Sequence, residues 1–152
     1  MPPRRRVGEL MNPDVVSLRP EMTVREAQEL LARRSVSGAP VVDDRGRVIG
    51  VVSQNDLVRG AAQPATVVKA GQFFTSVEDF EDLGSTPVPP GSQRVADLMT
   101  SRVYQVSRDA SAAAAASIMR ERHIHRLLVT EKGVLVGVIT SFDLLRVVEE
   151  LC

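Results

Sequence analysis

The sequence is poor in cysteine and in aromatic residues, and it has no excess of charge of either sign. The only cysteine is Cys152, which excludes a disulfide within the chain and leads us to expect a reducing, cytoplasmic setting. Tryptophan is absent and aromatic residues make up 3% of the chain, so the core must consist of Val, Leu, Ile, Ala and Met side chains. The formal net charge of +0 argues against a nucleic-acid-binding protein, because such proteins normally carry a basic excess.

Long apolar runs and the residue clusters of common active sites are also missing. No run approaches the roughly 18 apolar residues of a transmembrane helix, and the basic N-terminus MPPRRRVGEL lacks the apolar region of a secretory signal. No nucleophile–base pair or glycine-rich phosphate loop is recognisable. His123 and His125 have no cysteine near them and are too few ligands for zinc. We therefore expect no membrane span, no catalysis, no metal site and no covalently bound cofactor.

What the sequence does contain is an internal repeat. Residues 36–59 read VSGAPVVDDRGRVIGVVSQNDLVR and residues 124–146 read IHRLLVTEKGVLVGVITSFDLLR, each typical of a strand, a tight turn, a strand and a helix. Further upstream in each copy, Val7–Met11 matches Val95–Met99. Each copy has about 55 residues, too few to bury a good core alone. We therefore expect the two copies to share one core as a pseudo-two-fold pair, with a ligand cleft on either side.

The repeat divides the chain. We predict a disordered Pro- and Arg-rich tail at 1–6, a first repeat at 7–61, a connector of loop composition at 62–93 and a second repeat at 94–152.

Local signals place helices and strands within each copy. The clearest is a capping box, in which Thr23 is followed three residues later by Glu26, and it predicts a helix to about Arg34. Three further helices are predicted to start at Ser53, at Asp109 or Ser111, and at Thr140. Strands are predicted at Val15–Leu18, Ala39–Val42, Val48–Val52, Val103–Val106, Leu127–Val129 and Val134–Ile139.

The motifs that close each copy resemble those of a known family. They are Gly50–Asp56 (GVVSQND) and Gly137–Asp143 (GVITSFD), with the Leu-Met pairs at 10–11 and 98–99 and the VSGAPV segment at 36–41. Together they resemble a pair of CBS domains (cystathionine-β-synthase domains), also called a Bateman module. The resemblance implies an α+β fold of two repeats, each roughly α-β-α-β-β-α, packed through their sheets.

The same resemblance implies a function. Such modules bind an adenosyl ligand, AMP, ADP, ATP or S-adenosylmethionine, as a regulatory ligand, commonly form homodimers, and signal to an enzyme or transporter. Here the target would be a separate protein chain. The alternative is a structural, dimerisation or protein-interaction module that binds no ligand.

The Ser/Thr-x-x-Asp steps are the first candidate site residues. Asp56 with Ser53, and Asp143 with Thr140, offer a carboxylate and a hydroxyl that suit the two hydroxyl groups of a ribose, at a helix N-terminus that favours an anion. The alternative is a plain capping box, in which the hydroxyl and the carboxylate bind backbone amides. The two roles can coexist.

The His125-Arg126 pair is the second candidate. It resembles the His-Arg pair that contacts phosphates in the nucleotide-sensing subunit of the AMP-activated kinase, and arginine has a planar fork that matches phosphate oxygens. The first copy has Ser37-Gly38 instead, so we expect unequal clefts. The alternative is that Arg126 is solvated and His125 merely follows a helix.

The resemblance also implies which residues share a cleft. Apolar members would sandwich the adenine, or would alternatively belong to the core. Tyr104 and Phe142 lie close in sequence to these cleft residues, and we expect both to pack in the core. The family usually has a proline at the position of Leu128, and the first copy keeps this proline as Pro40. One cleft would comprise Val15, Val36, Ser37, Val138, Thr140 and Asp143, and the other Val103, Ile124, His125, Val51, Ser53 and Asp56.

Overall fold

The structure, a computed structural model, describes residues 5–62, 74 and 93–151. Most of the predicted connector lies outside the described residues, and so does Cys152. The connector includes the stretch 72–83 (QFFTSVEDFEDL), whose sequence predicts a short amphipathic helix. Phe74 is described and is fully buried. No helix among the described residues is long and apolar enough to cross a membrane.

Helices and strands alternate in the order expected of an α+β protein, and the order is nearly the same in the two repeats. They are α1 (Val7–Leu10), α2 (Val24–Arg34), β1 (Gly38–Val42), β2 (Val48–Ser53), α3 (Gln54–Ala62), α4 (Val95–Leu98), β3 (Gln105–Ser107), α5 (Ala112–Arg122), β4 (Arg126–Glu131), β5 (Val134–Thr140) and α6 (Ser141–Leu151).

The chain forms two compact units that do not follow the repeat boundaries. The three-stranded unit combines the chain up to Val15 with the residues from Tyr104 onward, and the two-stranded unit comprises Val16–Val103. Each repeat therefore gives its first segment to the unit that holds the rest of the other repeat. We call residues 5–12 the first leader and residues 93–100 the second leader.

In the two-stranded unit, β1 and β2 form an antiparallel hairpin against α2 and α3. The capping box at the start of α2 is confirmed: the Glu26 amide donates to the Thr23 hydroxyl over 3.0 Å, and the Thr23 amide donates to the Glu26 carboxylate over 2.9 Å. The second leader adds two side chains from α4 to the core of this unit. That core consists of Leu18, Val24, Ala27, Leu31, Ala39, Val41, Val52, Leu57, Val95 and Leu98.

In the three-stranded unit, β4 lies in the middle, parallel to β3 and antiparallel to β5. The turn from β4 to β5 consists of Lys132 and Gly133, whose φ angles of 54° and 83° fit the two-residue type I′ hairpin that matches strand twist. Helix α5 is capped by Ser111, whose hydroxyl accepts from the Ala114 amide over 3.0 Å.

The prediction of a strand at Val15–Leu18 is wrong, although the corresponding strand of the second repeat, β3, is present. Only Leu18 pairs with β1, through an isolated parallel bridge. In the second repeat, the Leu128 amide donates to the Tyr104 carbonyl over 3.1 Å and extends the ladder. Pro40 occupies the matching position of β1 and has no N–H to donate, so the ladder of the first repeat is shorter.

The predicted disordered tail does not include Arg5 and Arg6. The Arg5 guanidinium donates to the Glu150 carboxylate of α6 from two nitrogens, one of them over 2.8 Å, and to Glu9 over 3.1 Å. The Arg6 guanidinium donates to the Asp109 carbonyl oxygen. Glu150 and Asp109 lie far away in sequence, so composition alone could not indicate these two partners.

Core packing was also the wrong expectation for Phe142, whose side chain is 73% exposed. Helix α6 has no buried residue at all. Its apolar residues lie on several sides of the helix, so sequence periodicity does not reveal which of them point to solvent.

Each leader crosses the second strand of a hairpin at a glycine. Asn12 and Val138 exchange backbone hydrogen bonds of 2.8 and 3.0 Å, and Thr100 and Val51 exchange two of 2.9 Å. A Cβ atom on Gly137, next to Val138, would lie 3.0 Å from the Asn12 carbonyl oxygen. The glycine of each closing motif is therefore required for the close approach of a leader.

This contact generates a stability prediction for Gly50→Ala. The new Cβ would lie 2.9 Å from the Thr100 carbonyl oxygen and 2.8 Å from the Met99 sulfur, so the second leader must shift. We expect the free energy of unfolding to fall by about 1–3 kcal/mol, measured by urea denaturation. Because one obstructing atom belongs to the backbone, adding Met99→Ala should not restore stability. Wild-type stability of Gly50→Ala would contradict this account.

The Arg5–Glu150 contact generates a pH prediction. The hydrogen bonds from Arg5 hold the pKa of Glu150 below its usual value of 4.5. A carboxylate with a lowered folded-state pKa stabilises the fold above its unfolded pKa, and this stabilisation is lost as the pH falls through the folded-state pKa. Arg5→Gln should therefore lower the melting temperature at neutral pH and have progressively less effect as the solution is acidified below the usual glutamate pKa.

Thermal unfolding of both proteins over this pH range measures the effect. Arg25→Gln, which breaks a more exposed i,i+4 pair with Glu29, is the control and should change the melting temperature less. A difference between Arg5→Gln and wild type that is the same at neutral and acid pH would refute the prediction.

Candidate functional site

In the two-stranded unit, the Ser53–Asp56 step joins β2 to α3 and is a complete capping box. The Asp56 amide donates to the Ser53 hydroxyl over 3.1 Å, and the Ser53 amide donates to the Asp56 carboxylate over 2.8 Å. Both residues are only 4% exposed. The Gln54 amide donates to the Ser37 carbonyl over 2.7 Å, which fixes the start of α3 against the end of the loop before β1.

In the three-stranded unit, the Thr140–Asp143 step joins β5 to α6 with the same geometry. The Asp143 amide donates to the Thr140 hydroxyl over 3.2 Å, and the Thr140 amide donates to Asp143 Oδ2 over 2.9 Å. The Ser141 amide donates to the His125 carbonyl over 2.8 Å, as its counterpart does in the other unit. In this unit, however, Thr140 and Asp143 are only half-buried.

The two Ser/Thr-x-x-Asp steps are therefore equivalent in sequence but differ in how deeply they are buried. The cap engages one oxygen of each carboxylate, and a carboxylate has a second oxygen that can accept further hydrogen bonds. The carboxylate of Asp143 belongs to a half-buried residue that a solute can reach, whereas Asp56 is enclosed.

The two steps also differ in the residue that lies opposite the Ser or Thr in the β-ladder. Arg126 is the register partner of Thr140 in the β4–β5 ladder, and the corresponding partner of Ser53 is Gly38. Opposite residues of an antiparallel pair place their side chains on the same face, with Cβ atoms about 5 Å apart. Arg126 is half-buried, and His125 beside it is exposed. The three-stranded unit thus has an arginine opposite the Thr140–Asp143 step, at the start of α6.

The remaining candidate residues differ in their accessibility. Val51 is 1% exposed and Ile124 is 4% exposed, so both are core residues within their units. The others are half-buried: Val15 and Val138 in the three-stranded unit, and Val36, Ser37 and Val103 in the two-stranded unit. That residues of the two repeats line shared clefts stays a prediction.

Sequence reasoning missed the contact of the leaders with the strands that end in the two steps. Asn12 is bonded to the backbone of Val138, two residues before Thr140, and Thr100 is bonded in the same way to Val51, two residues before Ser53. The signal in the sequence is the glycine at position 50 or 137, because a glycine inside a strand often marks a close backbone approach.

Comparison with known families and proteins gives a consistent result. A family model described as "CBS domain" matches residues 7–62 and again residues 95–150. The chloroplastic CBS domain-containing protein CBSX1 of Arabidopsis thaliana is 31% identical over 147 residues, which is 92% of this chain and 62% of that protein. The chain spans 32% and 62% of the length of the first two curated relatives it matches.

Two similar crystal structures contain a nucleotide. CBSX2 in complex with AMP is 25% identical, has a TM-score of 0.68, and is matched over 96% of this chain and 97% of that chain. The cytosolic domain of the Mg²⁺ channel MgtE in complex with ATP is 29% identical, has a TM-score of 0.67, and is matched over 93% of this chain and 48% of that chain.

The unequal burial generates a prediction about stability. Asp56→Ala leaves the buried Ser53 amide without its acceptor and should lower the free energy of unfolding by roughly 1–3 kcal/mol. Asp143→Ala removes a half-buried cap and should cost about 0.5–1 kcal/mol. Asp97→Ala, which removes the exposed carboxylate that accepts from the Arg94 amide at the start of α4, is the control and should resemble Asp143→Ala. Equal losses for Asp56→Ala and Asp143→Ala in urea denaturation would refute the distinction.

Proposed function

The chain belongs to the CBS domain family, as a pair of CBS repeats, and on this premise we propose that it is a regulatory module that binds an adenosyl ligand. The single observation that carries the proposal is the half-buried Thr140–Asp143 step with Arg126 opposite Thr140. Its chemistry matches the polar part of a nucleotide, and the similar structure of CBSX2 is a complex with AMP.

The ribose is the group that the step suits best. Its 2′ and 3′ hydroxyls are neighbouring donors, and a carboxylate can accept from both. Because α6 starts at Ser141, its helix dipole also favours negative charge at this place. The cap and the ribose contact do not compete, since the cap uses only Oδ2 of Asp143.

Arg126 favours a phosphate-bearing ligand. Its guanidinium offers paired donors for phosphate oxygens, and it lies opposite the residue that starts the step. AMP, ADP and ATP carry such groups. S-adenosylmethionine shares their adenosine part but carries a positively charged sulfonium in place of the phosphate next to the ribose, and the Arg126 guanidinium would repel a charge at that position.

The chain would act on other proteins and would not itself catalyse a reaction. A ligand can signal only if it binds one conformation of the module more tightly than another, and a separate partner protein then recognises the favoured conformation. We also propose that the module works as a homodimer. A binding or dimerisation module that takes no ligand is the second candidate, and the enclosed Ser53–Asp56 step favours it for the first repeat.

Calorimetric titration with AMP, ADP, ATP and S-adenosylmethionine tests the proposal. We expect at least one adenine nucleotide to bind, and Asp143→Ala to raise its Kd about tenfold or more, because a hydrogen bond to a charged group contributes roughly 1.5–3 kcal/mol. Arg126→Ala should weaken the binding of nucleotides in particular. Asp97→Ala removes a cap elsewhere and should leave Kd unchanged.

The possible results separate the two candidate functions. Loss of nucleotide binding in Asp143→Ala, with Asp97→Ala unaffected, supports the sensing module. If no ligand binds to the folded wild-type protein at millimolar concentration, the sensing proposal fails and the ligand-free module takes its place.

A further inference from the structure

The methionine of each leader lies against the glycine at which that leader crosses a strand. A Cβ atom on Gly137 would lie 2.6 Å from the Met11 sulfur, and a Cβ atom on Gly50 would lie 2.8 Å from the Met99 sulfur. The thioether therefore occupies space that any side chain at the glycine would need. Methionine is unbranched and flexible, which suits it to a narrow gap of this kind.

These two methionines touch the backbone of the strand but are not enclosed. Met11 and Met99 are both half-buried, whereas Met119 belongs to the core and is 5% exposed. A small oxidant such as hydrogen peroxide reaches a half-buried thioether more easily than one in the core. Each leader thus carries an accessible, oxidisable atom at the point where it comes closest to the strand.

The surroundings of the Met11 sulfur suit a thioether and do not suit a sulfoxide. The Cβ position of Gly137 lies 3.0 Å from the Asn12 carbonyl oxygen, which accepts hydrogen bonds and cannot donate one. The amides of Met11, Asn12 and Val138 already donate to backbone carbonyls over 2.9, 2.8 and 3.0 Å. None of these three amides is therefore available to a sulfoxide oxygen, and a polar atom placed at a contact without a donor is destabilising.

The crossing in the two-stranded unit has the same arrangement. The Met99 amide donates to the Val95 carbonyl over 2.9 Å, and the amides of Thr100 and Val51 donate to each other's carbonyl oxygens. A sulfoxide oxygen on Met99 would meet these occupied amides and the Thr100 carbonyl, as its counterpart would on Met11.

Met22 provides a comparison within the same protein. It is half-buried and, like Met99, packs against the core of the two-stranded unit. Its sulfur accepts a hydrogen bond of 3.5 Å from the Arg19 amide. A sulfoxide oxygen on Met22 could accept from the same amide, so oxidation there should disturb the fold less. The surroundings of the sulfur, and not exposure alone, distinguish the leader methionines.

We propose that Met11 and Met99 are modification sites, at which oxidation by a peroxide loosens the leader. With hydrogen peroxide, the sulfur loses two electrons and gains one oxygen atom, the O–O bond breaks, and a molecule of water leaves. The product is a polar and chiral sulfoxide. It must either swing out of the crossing or displace the leader, and both weaken the apolar contact that supports the backbone hydrogen bonds.

Oxidation of Met11 also bears on the candidate ligand site. The first leader is bonded to Val138, two residues before Thr140 on β5, and all these residues belong to the three-stranded unit. A loosened leader leaves the strand that ends in the Thr140–Asp143 step less firmly held, so we expect the affinity for a nucleotide to fall several-fold. This effect rests on the proposed function, whereas the modification itself does not.

Treatment of the folded protein with dilute hydrogen peroxide, followed by peptide mass spectrometry, tests the modification. Met11 and Met99 should be oxidised several-fold faster than Met119. In the oxidised protein the amides of Asn12 and Thr100 should exchange with deuterium about tenfold faster, because the leaders open more often. The midpoint of urea denaturation should fall, and methionine sulfoxide reductase should restore both properties.

Leucine variants identify the methionines responsible. Leucine has a similar volume and forms no sulfoxide, so the double variant Met11→Leu, Met99→Leu should keep its urea midpoint after peroxide treatment. Met22→Leu is the matched control and should lose stability as the wild type does. Deuterium exchange of the wild type decides the question even if the double variant does not fold.

Two results would overturn the modification sites. One is that Met11 and Met99 resist the peroxide as long as the protein is folded. The other is that the oxidised protein keeps the exchange rates and the urea midpoint of the untreated protein.

Calorimetry separates the modification from the ligand site. In Met99→Leu, Met11 is the leader methionine that remains, and oxidation should raise the Kd of the nucleotide that the untreated protein binds several-fold. An unchanged Kd with a loosened leader overturns the effect on the site and leaves the modification in place. If the untreated protein binds no nucleotide, the sensing proposal fails, and the exchange and urea measurements still decide the modification.

Discussion

The backbone contact between each leader and a strand is the interaction on which both units depend. Asn12 at Val138 and Thr100 at Val51 each exchange two hydrogen bonds, and each contact requires the neighbouring glycine. The leaders also bring apolar side chains into the cores, because Val7 and Leu10 are buried in one unit and Val95 and Leu98 in the other. A repeat of about 55 residues is too small for a core of its own. Exchange of the leaders lets each unit include a segment that lies far away in sequence.

The same residues that start a helix can also bind a ligand. In both units a Ser or Thr and an Asp satisfy the backbone amides at the start of a helix, so neither carboxylate needs a ligand for the fold. What differs is the surroundings: Asp56 is enclosed, whereas Asp143 is half-buried and follows Thr140, the register partner of Arg126. In the proposed function, one step serves the structure alone and the other also contacts a nucleotide.

Local interactions were predictable from the sequence, and interactions between distant segments were not. The capping box of Thr23 and Glu26 depends on residues three apart, so its spacing alone revealed the start of α2. The hydrogen bonds of Arg5 to Glu150 join residues near opposite ends of the chain, and composition wrongly suggested a disordered segment there. No strand forms at 15–18 because Pro40, on the facing strand, has no N–H to donate. This effect is clear only once the register of the ladder is known.

Helix α6 has the candidate ligand site at its first turn, and Arg5 holds its last turn through Glu150. The first leader therefore stabilises the position of the helix that begins at the candidate site. If the proposed function is right, a ligand that contacts Asp143 changes what a partner protein recognises only by binding one conformation of the module more tightly than another. By thermodynamic linkage, any factor by which the ligand strengthens the binding of a partner is also the factor by which the partner strengthens the binding of the ligand.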